Sequence, residues 1–255
     1  MDKVVVTSVT NAGVMVTYKN KKLLFDAIQI GNDFFSAPPE EMLTSLIGGT
    51  GDFKDVDVLA YSHYHNDHID FEANLKYLDN YVPKTIVLPL DPYHRAVAFK
   101  EELTRRGIKY IEPNPAIDEK QVFEIDEDIT ITCYRSHHDG GAKFKNVCHH
   151  TFLLSIGGKN VLIGADSPIM ECPLYEDLRK VKIDIALFNL LFLNNRRGRE
   201  IINSLNPTKL AIYHLPLEGH VNTMFRNFAI NDAEKFKDEM PPITVFEKPY
   251  DKVEI

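Results

Sequence analysis

Twelve residues, LAYSHYHNDHID at positions 59–70, hold three histidines and two aspartates. Nothing else in the chain constrains its fold as sharply, because so many imidazole and carboxylate groups placed together suit a shared cation. The stretch continues an apolar run, VDVLAY at 56–61, which reads as a short buried strand. The histidines therefore begin where a strand ends, on a loop that a rigid sheet would hold in place. His63, His65, Asp67 and His68 spell His-x-His-x-Asp-His. In extended backbone, positions 63, 65 and 67 face one way; in a tight loop all four converge on one small volume. Four such groups exceed what one structural tetrahedral zinc needs once distant ligands are added, so two cations are expected.

The rest of the chain supplies those distant ligands in a regular way. VMVTY at 14–18 and KLLFD at 22–26 flank a polar turn and read as a hairpin, and Pro38-Pro39 introduces a helix over EEMLTSLIG. The GGTG at 48–51 lacks the Gly-Lys-Ser/Thr of a phosphate loop and reads as a connection. TIVLPL at 85–90 predicts a strand, and residues 91–106 a helix closed by Gly107. Further strands are predicted over 128–136, 151–156, 161–166, 184–190 and 209–215, with helices over 199–205 and through the 220s and 230s. Asp166, the pair His137 and His138, and His214 each fall at or just beyond the end of such a strand. Strands in the first part of each half and helices in the latter part indicate a mixed α/β layered fold. We expect one domain spanning residues 1–255.

Charge and cysteine content narrow the function classes. With 29 basic and 37 acidic residues the net charge is −8, which works against non-specific attraction to nucleic acid or anionic membrane. Cys133, Cys148 and Cys172 form neither a disulfide framework nor a Cys-x-x-Cys zinc site. The opening MDKVVVTSVT has no signal-peptide apolar region, and no run reaches membrane-spanning length, so a cytoplasmic protein is expected. No Gly-x-Ser-x-Gly elbow is present to supply a serine nucleophile.

These motifs together resemble the metallo-β-lactamase-fold hydrolases. SHYHNDH matches that superfamily's His-x-His-x-Asp-His signature, VLIGAD resembles its strand-Gly-Asp motif, YRSHH its third histidine motif and LAIYH its last, in the same order. LLFDA is similar to an early motif whose aspartate, here Asp26, supports the histidine loop. The resemblance implies a four-layer αββα sandwich. It also implies that His63, His65 and one of His137 or His138 hold a first metal, that Asp67, His68 and His214 hold a second, and that Asp166 bridges them. His138 is preferred over His137 because related members place a small residue, here Ser136, two before the ligand. His65 stands where the flavo-diiron branch has glutamate, and Asp166 where secreted β-lactamases have cysteine. What remains is similar to the compact intracellular branch that includes ascorbate-6-phosphate lactonase.

The expected chemistry is hydrolysis of an ester, lactone or phosphodiester of a small molecule by a metal-bridging hydroxide. The cofactors would be two divalent ions, zinc first, with manganese and iron as alternatives. Asp67 would orient the nucleophile, and His150 or His220 would protonate the leaving group. Asn195 and Arg196 are candidate substrate contacts, Arg196 suiting an anionic group, against the competing reading of a solvated helix face. Phe34 and Phe35 are read as a lid or as core. A homo-oligomer is compatible with the sequence. The alternatives to a small-molecule hydrolase are a non-catalytic metal sensor or scaffold, and a metal-dependent nuclease, which the acidic charge disfavours.

Overall fold

The computed structural model describes residues 2–35, 37–90, 94–218 and 222–255, with residue 94 described in its backbone alone. The first half opens as a meander. Strands β1 (Val5–Ser8), β2 (Val14–Tyr18) and β3 (Lys21–Phe25) pair antiparallel, β1 also taking the C-terminal strand at one edge. Helix α1 (Glu40–Gly48) then crosses to β4 (Val58–Ala60), which lies parallel to β3. Helix α2 (Phe71–Asn80) leads to β5 (Thr85–Val87), parallel to β4, followed by α3 (His94–Arg105). The start of the helix predicted over 91–106 lies outside the described residues.

The second half repeats the scheme. Strands β6 (Lys120–Asp126), β7 (Ile129–Ser136), β8 (His149–Ile156) and β9 (Lys159–Ile163) form an antiparallel meander. The β8–β9 turn places Gly157 and Gly158 at φ 56° and 75°, the two consecutive positive values of a tight hairpin loop. After α4 (Pro173–Leu178) come β10 (Ile185–Asn189), α5 (Leu190–Asn194), α6 (Arg196–Leu205), β11 (Lys209–Tyr213), α7 (Thr223–Lys235), β12 (Ile243–Val245) and β13 (Lys252–Glu254). Strands β10, β11 and β12 continue the sheet in parallel, and β13 returns to β1.

Among the described residues the result is a six-stranded sheet ordered β13-β1-β2-β3-β4-β5 facing a seven-stranded sheet ordered β12-β11-β10-β9-β8-β7-β6. Val6, Val16, Phe25, Phe152, Leu154 and Ile163 belong to the apolar layer between them. A second layer, with Met42, Leu46, Tyr77 and Leu103, packs α1 to α3 against the first sheet, and a third, with Leu174, Ile202 and Ala229, packs α4, α6 and α7 against the second. This is the αββα sandwich expected from the resemblance. No helix among the described residues is long and apolar enough to cross a membrane.

Three differences from the sequence expectation have local causes. Strand β6, unpredicted, is a largely exposed edge in which Phe123 and Ile125 pack half-buried against the core and no residue is fully buried. Helix α2 also escaped prediction; its N-cap is Asp70, whose side chain accepts from the Ala73 N–H at 2.8 Å, so the last aspartate of the opening stretch caps a helix. The strand predicted over 184–190 stops at Asn189 because that side chain accepts from the Leu191 N–H at 3.0 Å and starts α5.

Candidate metal centre

Strands β3 and β4 run in parallel, as do β7, β9 and β11, and the chain turns after each of them carry the metal-type side chains. Ligand sites at the carboxyl ends of parallel strands are a general outcome of such sheets. Three of these turns hold a non-glycine residue at positive φ: Asp26 after β3 (50°), Ala165 after β9 (48°) and His214 after β11 (57°). Such conformations cost free energy and concentrate where surrounding structure holds a site in place.

The side chains form two adjoining groups, His63, His65, His138 and Asp166 in one and Asp67, His68 and His214 in the other. In the first, His63 Nε2 lies 2.9 Å from His65 Nδ1, which lies 3.2 Å from His138 Nε2. Asp166 Oδ2 is 3.2 Å from His138 Nε2 and 3.5 Å from His63 Nε2. In the second, His214 Nε2 is 3.0 Å from His68 Nε2 and 3.5 Å from Asp67 Oδ2. A tetrahedral ion with bonds near 2.05 Å has donor–donor edges of about 3.3 Å, so the spacing and chemistry of these donors fit a divalent cation. The Asp166 carboxylate reaches both groups, with Oδ2 3.2 Å from His68 Nε2 and Oδ1 3.6 Å from His214 Nε2.

Buried hydrogen bonds orient the rings. Asp26, fully buried, accepts from the Ser62 N–H at 2.7 Å, from the Ser62 hydroxyl at 2.6 Å and from His68 Nδ1 at 3.0 Å. His63 Nδ1 donates to Ser62 Oγ at 3.0 Å, and His138 Nδ1 to the Asp139 carbonyl at 2.5 Å. Each ring so tied keeps its Nε2 lone pair for the cluster. Sequence reasoning passed over two further members, Ser62 and His149. His149, fully buried at the start of β8, accepts the Asp166 backbone N–H on Nε2 at 3.1 Å, so its proton sits on Nδ1, 2.9 Å from Ser136 Oγ. The only sequence signal for His149 was its place in a strand-opening histidine pair.

Electrostatics agree with a cation site. Burial, reinforced by neighbouring imidazoles, pushes His63 and His149 well below the usual histidine range and His65 down to about 4, leaving neutral donors. Burial opposes charge on Asp166, but His214, His138 and His68 outweigh it and hold the carboxyl well below its ordinary value. For His68 burial is likewise outweighed, by Asp26, Asp166 and Asp67, and its value is raised, so these carboxylates favour positive charge at this ring and a cation at Nε2 would take the place of a proton there.

Other expectations meet a different placement. His137 is exposed while His138 is buried in the cluster. His150 faces the layer between the sheets, with neither ring nitrogen hydrogen-bonded, and burial lowers it to about 4. A neutral imidazole is a weak acid, and His150 belongs to neither group of metal-type side chains, so the structure does not bring it to the leaving-group position expected for it. His220 lies outside the described residues. Asn195 caps α6 by accepting from the Arg197 N–H at 2.9 Å, and the Arg196 side chain is 86% exposed beside Glu200. Both are parts of a solvated helix end, because the N-terminus of α6 needs its orphan amides satisfied there. Phe35 instead meets the cluster, its ring 4.8 Å from that of His214.

No family model matches the chain. It is similar to cleavage and polyadenylation specificity factor subunit 3-II of Arabidopsis thaliana, 30% identical over 241 residues that cover 87% of this chain and 37% of that protein. The chain thus spans little more than a third of the length of that curated relative. Among solved structures it is similar to the metallo-β-lactamase fold protein YhfI from Bacillus subtilis, at 17% identity and TM-score 0.65 over 100% of both chains. Similar too is Igni18, a metallo hydrolase from Ignicoccus hospitalis, at 13% identity and TM-score 0.64, covering 99% of this chain and 98% of that one. CmlA, a diiron β-hydroxylase from Streptomyces venezuelae, matches at 17% identity and TM-score 0.64, covering 100% of this chain and 54% of that one. The chain has the metallo-β-lactamase fold.

Proposed function

We propose that the protein is a metal-dependent hydrolase acting on an ester, lactone or phosphodiester of a small molecule. His63, His65 and His138 would hold one divalent cation, Asp67, His68 and His214 a second, with Asp166 shared. The carrying observation is the Asp166 carboxylate, which lies between 3.2 and 3.6 Å from imidazole nitrogens of both groups. A pair of divalent ions there would supply Lewis acidity and lower the pKa of water towards neutrality. Imidazole-rich donors suit zinc first and manganese or iron next.

The chain's own residues position and exchange protons around that centre. Asp67, its side chain 16% exposed and 3.5 Å from His214 Nε2, would orient the attacking water and accept its proton. Asp26 and Ser62 hold His63 and His68 with Nδ1 as donor. His149 holds the Asp166 backbone, and the aromatic ring of Phe35 limits water on the His214 side.

The test combines metal content of protein purified without chelator with initial rates on lactones, phosphodiesters and thioesters. We expect about two ions per chain, hydrolysis that vanishes on chelation and its return on remetallation. A folded protein that takes up no metal overturns the reading. The likeness to a cleavage and polyadenylation factor subunit favours a second reading, hydrolysis of an RNA phosphodiester. RNA binding whose affinity falls steeply with salt would support it, and the −8 charge argues against it.

A further inference from the structure

A cavity of about 170 Å³ opens directly onto Asp166 and His214. Its walls come from four separate parts of the chain: Phe34 and Phe35 after β3, Leu191 on α5, Pro216 after β11 and Phe225 on α7. The aromatic walls are mutually packed, Phe34 lying 5.0 Å from Phe35 and 5.1 Å from Phe225 between ring centres, and Phe35 rests edge-on against His214. Away from the metal-type residues the cavity's polar side chain is Asn189, and its amide is already engaged. Its Oδ1 accepts from the Leu191 N–H and its Nδ2 donates to the Ala165 carbonyl. Among the described residues no lysine or arginine lines the cavity. Phe34 and Leu191, 43% and 44% exposed, leave the mouth apolar as well.

We propose that the substrate carries, next to its scissile bond, an uncharged apolar group the size of a phenyl ring or a branched alkyl chain, seated in this cavity. The proposal rests on the hydrolase reading for the word substrate, and on the cavity alone for the chemistry of the group. An apolar cavity of about 150 Å³ accommodates benzene, which sets the size. A carboxylate or phosphate placed there would lose its water without gaining a partner, which sets the charge. Because the cavity ends on Asp166 and His214, a group filling it is held beside the cluster rather than on a remote surface.

Two measurements separate this proposal from the hydrolase reading. On zinc-loaded protein, calorimetry compares benzohydroxamate, acetohydroxamate and the monohydroxamate of succinate, which share one metal-binding head. Benzohydroxamate should bind at least about 10-fold more tightly than acetohydroxamate, and the succinate compound no more tightly than acetohydroxamate. Phe225→Ala, at the partly exposed rim, should remove most of that preference while metal content and acetohydroxamate affinity stay put; Leu191→Lys should turn it towards the succinate compound. Equal affinity for all three on fully metallated protein overturns the cavity proposal and leaves the hydrolase reading standing. On metal-free protein, benzyl alcohol should shift the methyl resonances of Leu190, Leu191 and Leu215 and propionate should not. Absence of that shift overturns the cavity proposal whatever the metal experiments show.

Discussion

Asp26 lies behind the rings of the cluster, yet it decides what His63 and His68 present there. Its carboxylate accepts the hydrogen bond of His68 Nδ1 directly and orients His63 Nδ1 through the Ser62 hydroxyl. Asp26→Asn keeps the shape and tolerates the φ of 50° at this position, because asparagine shares aspartate's ease in the left-handed region. The variant therefore removes the charge and replaces one acceptor oxygen by an amide donor facing Ser62 Oγ and His68 Nδ1. We expect metal affinity to fall about 10- to 100-fold with the fold intact, measured by competition against a chromophoric chelator. Unchanged affinity would show that the Ser62 hydroxyl suffices by itself. Residue by residue, the site was legible where a motif concentrated it and opaque where a neighbour's orientation mattered. His63, His65, Asp67 and His68 announce themselves by spacing. In the pairs 137/138 and 149/150, adjacent side chains point opposite ways: burial separates His138 from the exposed His137, whereas His149 and His150 are both buried and only strand alternation turns His149 to the Asp166 turn and His150 to the layer between the sheets. Asn195 and Arg196 left two readings open in the sequence, because a polar run opening a helix looks the same whether it caps that helix or binds an anion.

Elements carry the next level of control. Gly164 joins β9 to the Asp166 turn, and a Cβ there would come within 2.6 Å of the Phe188 ring and 2.9 Å of the Leu187 carbonyl. Phe188 is fully buried and stacked on Phe192 at 4.1 Å, so neither obstacle yields easily. Gly164→Ala should cost about 1–3 kcal/mol in urea unfolding. It should also weaken metal binding, since Asp166 follows two residues later. A variant as stable as the parent would mean that β9 and β10 separate freely at this point. The elements readable from sequence were those buried on both faces, such as VLA in β4 and IALFN in β10, which appear as short apolar runs between turn residues. Helix α5 was not, because its LLFLN continues the apolar run of β10 and only the Asn189 cap marks the change. The three-residue strands β12 and β13 are too short to carry a period, and their pairing partners lie far away in sequence.

At the scale of the molecule the two halves solve one problem twice. Each is an antiparallel meander that passes into parallel strands, and in each a buried aspartate ties the base of the parallel pair. Asp57 accepts from the Lys22 N–H at 3.0 Å in the first half, and Asp184 from the Asn160 N–H at 3.0 Å in the second. Burial opposes charge on Asp184, but the Asn160 N–H with Lys182 and Lys159 outweighs it and lowers the pKa. A carboxyl lowered on folding stabilises the native state above its unfolded value of about 4, and that contribution disappears as pH falls through the folded value. Asp184→Ala should therefore lose about 1–3 kcal/mol at pH 7, and its deficit should shrink as urea unfolding is repeated below about pH 4. A deficit independent of pH would assign the loss to packing. The division into halves also bears on mechanics. His63, His65, Asp67 and His68 hang from the six-stranded sheet, and His138, Asp166 and His214 from the seven-stranded one. At the opposite end Lys21 pairs with Asp126 across the same seam. A cation gripped by both sets would work as a clasp on a hinged pair of plates, stiffening their opening motion at one rim while the apolar filling between them stays as it is.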